Sequence, residues 1–561
     1  MSWLLVACLM TPLLSAAASF IAPRGGSQRA TVATCGTALL VALAAMLLWQ
    51  VSQQGVISAQ MGGWSAPFGI SLVADPLAAL LLLVSAAVTL AITLFAADDV
   101  DAARSDAGFH GFVQVILTGV VGALLTGDVF NLYVWFEVML IGSFALMTLG
   151  ADRVQLDGAV KYIALNLVAT VLLLTAIGLL HAMAGTLNFA DLHRVMIDRP
   201  QDGMSRVVAT FFLVAFGIKA ALFPVFAWLP AAYHTVPITV AALFAALMTK
   251  IGVYSLFRVG SLVFSVEMVE MRALLTAVAV ATLVVGLAGA IAEHRLRRLL
   301  AWHVMVSVGI LLLGVALGTE LALAAAFLYF VHGMLAKAAL FMVIGMAERH
   351  GAGEHIREVG GLQRLSPWLA AAFLFSALSL IGLPPTPGFW AKLAFVKAGL
   401  DAGSVLLVVA VLLAGLLSFL PLMRLWNEMF WKAAPEPALA SQTLAALASA
   451  PGATPPGRPM QAVTLPAGMV MGLAGLTLVS VLIGLAPASL YALAADASAS
   501  VIDPSTYVQA VLGEAGDSAA MPMDGPSDAA PDAMSDAPRA ATPDAIREAT
   551  SDASDTPETS Q

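Results

Sequence analysis

Residues 125–150 read LTGDVFNLYVWFEVMLIGSFALMTLG, an apolar run with a single carboxylate after its N-terminal turn, Glu137. A helix rises about 1.5 Å per residue, so about 20 residues cross the hydrocarbon of a bilayer. A span that opens near Val129 places Glu137 about two turns inside it. Insertion scales put the cost of a carboxylate there at about 2.5 kcal/mol or more, so it calls for a partner or a water-filled cavity. A protonated glutamate joining two helices would meet that demand. So would a group on an ion path, the usual role of ionisable residues inside a membrane.

The surrounding chain has the same character. Of 561 residues, 60% are hydrophobic and 11% charged, far from the composition of a soluble domain. Apolar runs recur from end to end, so no soluble catalytic domain is expected. From Tyr491 onward there are 13 acidic residues and 2 arginines, a net of −11 against −9 for the whole chain. The rest therefore carries +2, and the acid belongs to the C-terminal tail. Cys8 and Cys35 are too few for a disulfide framework, a zinc site or an iron–sulfur cluster, and both read as core packing. The first twenty residues lack a basic leader and read as a first span, not as a signal peptide.

The expected fold is an all-α integral membrane protein with about 14 transmembrane helices. They begin near residues 3, 30, 70, 110, 129, 159, 207, 235, 273, 299, 321, 367, 404 and 465. Arg24 and Arg29, Arg295, Arg297 and Arg298, and Arg349, Arg357 and Arg364 then fall on one side, which basic loops mark as cytoplasmic. Both termini are expected on the periplasmic side of a bacterial inner membrane. The expected divisions are N-terminal helices over 1–109, a first half over 110–260, a second over 261–432, a Pro/Ala/Ser-rich cytoplasmic linker over 433–464, a last span over 465–490, and an acidic tail over 491–561. The tail is too poor in large apolar residues to fold and reads as disordered.

Further charges lie inside spans. Lys219 precedes Pro224 and Pro230 in FGIKAALFPVFAWLPAAYHTVP (216–237). An interior proline removes a backbone hydrogen bond and breaks the helix. Broken backbone at membrane depth survives only where protein buries it or a cavity meets it. Lys250 sits in AALFAALMTKIGVYSLFRV (241–259), and His332 and Lys337 in FLYFVHGMLAKAALFMVIG (327–345). A second broken helix, SLIGLPPTPGFWAKL (379–393), carries Lys392. One broken helix with a lysine in each half points to an inverted-repeat transporter.

A single lysine of this kind can be a snorkelling or structural residue. Four of them with a buried glutamate fit a proton relay better, because burial and pairing move their proton affinities in opposite directions. His234, His303 and His332 are secondary candidates. Asp75 and Asp128 read as helix N-caps, and Lys161 and Arg258 as interfacial anchors. No nucleophilic triad, phosphate loop, metal-ligand cluster or cofactor motif is present in the sequence, so no catalytic, metal or cofactor residues are assigned.

LTGDVFNLYVWFEVML, FGIKAALFPVFAWLPAAYHTVP and SLIGLPPTPGFWAKL together resemble the proton-translocating antiporter-like membrane subunits. These are shared by NADH–quinone oxidoreductase, membrane hydrogenases and Mrp-type multisubunit cation/proton antiporters, and the likeness is greatest to the D-type component of the Mrp antiporters. It covers about 70–430 and leaves the last span and tail without a motif. It implies 14 helices with two inverted five-helix repeats and a broken helix in each. It also implies a transporter subunit, not an enzyme, that works beside other membrane subunits of an antiporter complex and moves protons in exchange for Na⁺.

By the same resemblance, Glu137 and Lys219 are a gating pair, Lys250 and Lys337 are central relay lysines, and Lys392 is the terminal lysine facing the outside. Two departures stand out. The chain has PPTPGFWAK where the family usually reads PPLSGFWGK, and Val306–Ser307 where it often has a Ser-Gln pair. The rival reading is a proton-pumping subunit of a redox complex, with the same path and another energy source. A non-conducting scaffold is the third.

Overall fold

The computed structural model describes residues 3–25, 27–197, 199, 203–433 and 463–513. Helices α1 (Trp3–Ile21) and α2 (Gln28–Gln54) open the chain. A small antiparallel pair follows, β1 (Ile57–Gln60) and β2 (Ser71–Ala74), with Ile57 opposite Ala74. Next come α3 (Pro76–Asp99), the short α4 (Ala102–Asp106), α5 (Phe109–Leu125), α6 (Val129–Thr148), α7 (Arg153–Ala184), α8 (Phe189–Ile197) and α9 (Gly203–Ala220). After a break come α10 (Trp228–Ala232), α11 (Ile238–Leu262), α12 (Ser265–Glu270), α13 (Arg272–Ala292), α14 (Leu296–Leu317) and α15 (Glu320–Arg349). The chain continues through α16 (Leu362–Leu365) to α17 (Pro367–Ile381), α18 (Pro387–Asp401) and α19 (Val405–Trp426), then α20 (Ala467–Leu485), α21 (Pro487–Ile502) and α22 (Ser505–Leu512).

Among the described residues, 12 helices are long and apolar enough to cross a membrane, and α5 and α17 are shorter apolar helices. The chain is an all-α integral membrane protein. Its helix starts fall within several residues of the expected span starts, and the span expected from residue 367 is two half-helices, α17 and α18, divided at the expected break.

The helix ends follow from local chemistry. Asp75 and Asp128 cap α3 and α6, accepting from the backbone N–H of Ala78 at 2.9 Å and of Asn131 at 2.7 Å. Pro367 and Pro387 stand in the first turns of α17 and α18, where no N–H is missed. Gly382 ends α17 at φ 92°, a left-handed conformation natural to glycine.

Packing depends on small residues, as expected where lipid tails remove the hydrophobic drive between helices. Gly119 and Gly122 of α5 let α6 approach closely: a Cβ at Gly119 would stand 2.9 Å from the Trp135 carbonyl oxygen, and one at Gly122 would enter the Trp135 ring. Two helices, α11 and α15, are buried almost all round and form the centre of the bundle. They carry Lys250 and Lys337.

Two expectations need correction. The tail was expected to lose structure from about residue 491, but α21 and α22 continue to Leu512. Leu490, Ala494, Ala497 and Val501 repeat at helical spacing and are buried. Alanines supply enough apolar surface when the receiving groove, here between α3 and α15, is already built. Residues 514–561 and nearly all of the 433–464 linker lie outside the described residues. Cys8 is buried, but Cys35 faces outward and is not core packing.

Candidate functional site: a buried row of titratable groups

Glu137 lies on the face of α6 toward α7 and is only half-buried. Its Oε1 accepts from the Thr170 hydroxyl of α7 at 2.7 Å. Lys219 Nζ also reaches that hydroxyl, 3.5 Å from Thr170 Oγ1, and stands 4.7 Å from the centre of the Phe136 ring. The structure thus brings Glu137 and Lys219 to one place, with the Thr170 hydroxyl in contact with both. Sequence reading missed Thr170. A lone threonine in ALNLVATVLLL (164–174) is ordinary, and only tertiary packing shows which residue it meets.

Lys219 sits in the last turn of α9, and the break after it is well satisfied. Ala221, at φ 60°, turns the chain so that Leu222 N–H donates to Gly217 O at 2.8 Å. Trp228 Nε1 donates to Ile218 O at 2.9 Å, and the Phe223 N–H donates to Thr282 Oγ1 of α13 at 3.0 Å. This accounts for backbone groups that would otherwise be unpaired at membrane depth.

The second break differs. Lys392 follows it and reaches back, donating to Leu380 O at 2.8 Å and Ile381 O at 2.7 Å. These are carbonyls at the C-terminus of α17, the negative end of a half-helix, where a cation is favoured.

Between the two breaks stand the central lysines. Lys250 Nζ donates to Ala245 O at 2.9 Å on its own helix. Lys337 Nζ donates to Ser307 Oγ of α14, which lies 3.5 Å from the Tyr329 hydroxyl. Ser307 is one of the two residues that depart from the usual family pair, and it supplies the polar contact at that place. His303 Nε2 pairs with Ser418 Oγ at 3.1 Å, and His332 Nδ1 with Ser379 Oγ at 3.2 Å. Among the described residues, the other ring nitrogen of each is buried without a partner. His303 and His332 each lie within electrostatic range of Lys250, Lys337 and Lys392.

His234 lies apart from this row. It sits in the turn before α11, with Nδ1 3.0 Å from Pro230 O. Burial keeps its imidazole below the usual histidine range, so it is neutral at pH 7. Arg258, expected at an interface, is instead buried and bound through both terminal nitrogens to Asp75 at 2.7 Å. Lys161 is exposed and pairs with Asp157 at 2.5 Å. Among the described residues, no group of three or more His, Cys, Asp or Glu side chains has the arrangement of a metal site.

Comparison with known proteins places these features in a family. The family described as NADH:quinone oxidoreductase/Mrp antiporter, TM, matches residues 126–418. The D-type component of the Na(+)/H(+) antiporter of Alkalihalophilus pseudofirmus is 37% identical over 381 residues, 68% of this chain and 77% of that protein. The protein of the same name from Bacillus subtilis is 34% identical over 432 residues, 76% of this chain and 88% of that protein. A chain in the structure of the Mrp complex from Dietzia sp. matches with a TM-score of 0.79 and 31% identity, covering 91% of this chain and 98% of that one. With its central segment matched and relatives aligned over most of their length, the chain belongs to the NADH:quinone oxidoreductase/Mrp antiporter transmembrane family.

Proposed function

We propose that the chain is the proton-conducting membrane subunit of a multisubunit Na⁺/H⁺ antiporter in a bacterial inner membrane, with both termini periplasmic. Glu137 and Lys219 gate the path, and Lys250, Lys337 and Lys392 relay the proton, with His303 and His332 beside them. The halves 110–260 and 261–432 act as inverted repeats. Other membrane subunits of the complex are its partners.

The observation that carries this reading is the placement of Lys250 and Lys337 on the two fully buried central helices, between two broken helices that each hold a lysine. Such groups inside spans mark ion pathways, and broken helices mark where ions bind. The names of the relatives in A. pseudofirmus and B. subtilis support sodium as the exchanged cation.

The test is Na⁺-dependent ΔpH in vesicles that carry the complete set of subunits, with no NADH or hydrogen supplied. Wild type should exchange, and assembled Glu137→Ala and Lys219→Ala should not. Exchange that persists in both variants sinks the relay. No exchange in wild type, with pumping only after a reductant is added, moves the chain to the redox-driven members of the family.

A further inference from the structure

The helices of this protein hold many threonines, and most hydroxyls follow one rule. Thr37, Thr89, Thr118, Thr175 and Thr210 each donate to the carbonyl four residues back on their own helix. That is the ordinary arrangement for a threonine in an apolar helix. Thr170 sits in the middle of α7, with a free choice of the same bond, and its hydroxyl donates instead across the helix interface to Glu137. The same oxygen faces the Lys219 ammonium.

The geometry is unequal on the two sides. The Thr170–Glu137 bond is closed at 2.7 Å, while the Lys219–Thr170 contact stands at the open limit of 3.5 Å. A hydroxyl carries one donor and two acceptor sites, so it can donate to the carboxylate and accept from the ammonium at once. Lys219 also rests against the Phe136 ring, which gives its cation a second favourable contact while the bond to Thr170 is long.

We propose that Thr170 is the proton bridge between Lys219 and Glu137, so that the pair exchanges a proton through the hydroxyl. The proposal rests on the gating-pair reading above and adds the residue through which the pair communicates. When Lys219 closes the contact, one ammonium N–H bond breaks and a bond forms at Thr170 Oγ1. The original Thr170 O–H bond breaks, and its hydrogen binds Glu137 Oε1. Lys219 ends neutral, Glu137 ends protonated, and Thr170 remains a hydroxyl. With the contact open, the path is interrupted without moving either helix.

Side-chain shape and hydroxyl chemistry predict opposite orders of variants. Valine keeps the threonine's shape without a hydroxyl, and serine keeps the hydroxyl with less bulk. In vesicles carrying the complete complex, Thr170→Val should lose Na⁺-dependent ΔpH by about tenfold or more, in the range typical of removing a proton-transfer group. Thr170→Ser should restore most of it. Thr170→Ala should resemble valine, and it replaces valine if valine blocks assembly.

Two results overturn the bridge. One is wild-type exchange in Thr170→Val while Glu137→Ala and Lys219→Ala are inactive. The other is serine as inactive as valine. If Glu137→Ala and Lys219→Ala themselves exchange normally, the gating pair has failed first, and the bridge falls with it.

Discussion

At the residue scale, Arg258 is a buried charge outside the proposed relay. Its guanidinium and the Asp75 carboxylate are 5% and 1% exposed, and Ser500 adds a hydrogen bond to Asp75 at 3.3 Å. Tyr254 and Tyr507 present their rings to the guanidinium. Removing one member of a buried pair strands the other charge and costs about 3–5 kcal/mol, while replacing both with apolar groups can be close to neutral. Asp75→Leu or Arg258→Leu should therefore lower the thermal midpoint of the detergent-purified protein more than the double replacement does. Equal losses in single and double variants would contradict this account.

The pair also sets an acid limit. Burial opposes the Asp75 charge, but Arg258 and the bond from Ala78 hold its carboxyl below the usual range. A carboxyl lowered on folding contributes stability that is fully present above the unfolded value, about 3.9. It is lost as pH falls through the folded value. Acid unfolding of Asp75→Asn should accordingly vary less below about pH 4 than that of wild type.

At the element scale, the first broken helix depends on how closely α11 approaches it. A Cβ at Gly252 would meet the Ala220 nitrogen at 2.8 Å and the Lys219 carbonyl carbon at 3.0 Å, both rigid backbone. Gly252→Ala should cost about 1–3 kcal/mol, as overpacking does, and should displace Lys219 from Thr170. Reduced exchange with retained assembly is the expected readout. Thr282→Val leaves the Phe223 N–H without its acceptor, and because Phe223 is partly exposed the loss should lie near the low end of the range for such a group, about 1 kcal/mol. A Thr282→Val protein with unchanged thermal stability would show that another group takes the bond.

At the scale of the whole molecule, the C-terminal helices tie distant parts together. Ser500 reaches Asp75, Tyr507 covers Arg258, and Ser58 of β1 donates to Ala510 O at 2.5 Å. Truncation after Leu485 should therefore uncover the Asp75–Arg258 pair and lower the thermal midpoint. Truncation after Gly513 removes a stretch poor in large apolar residues and should leave the midpoint unchanged. A large loss from the shorter truncation would assign the tail a share in the packed body.

Much of the architecture was legible from composition alone. A span needs length and apolarity, which are local properties, so helix starts could be read from the chain. The two breaks were legible because proline acts on its own backbone. The buried charges were legible because water is absent, which makes each one conspicuous wherever it lies.

What the chain could not show is which polar group meets which. Arg258 looked like an anchor because its partner, Asp75, is 183 residues away. Thr170 looked like filler because its value depends on facing Glu137. Lys392 looked like the counterpart of Lys219, yet it caps the half-helix before it while Lys219 faces a hydroxyl on another helix. Membrane cost is paid residue by residue and can be seen in sequence. Hydrogen-bond pairing depends on directions and distances of a few ångströms across helix interfaces, which only the tertiary structure sets.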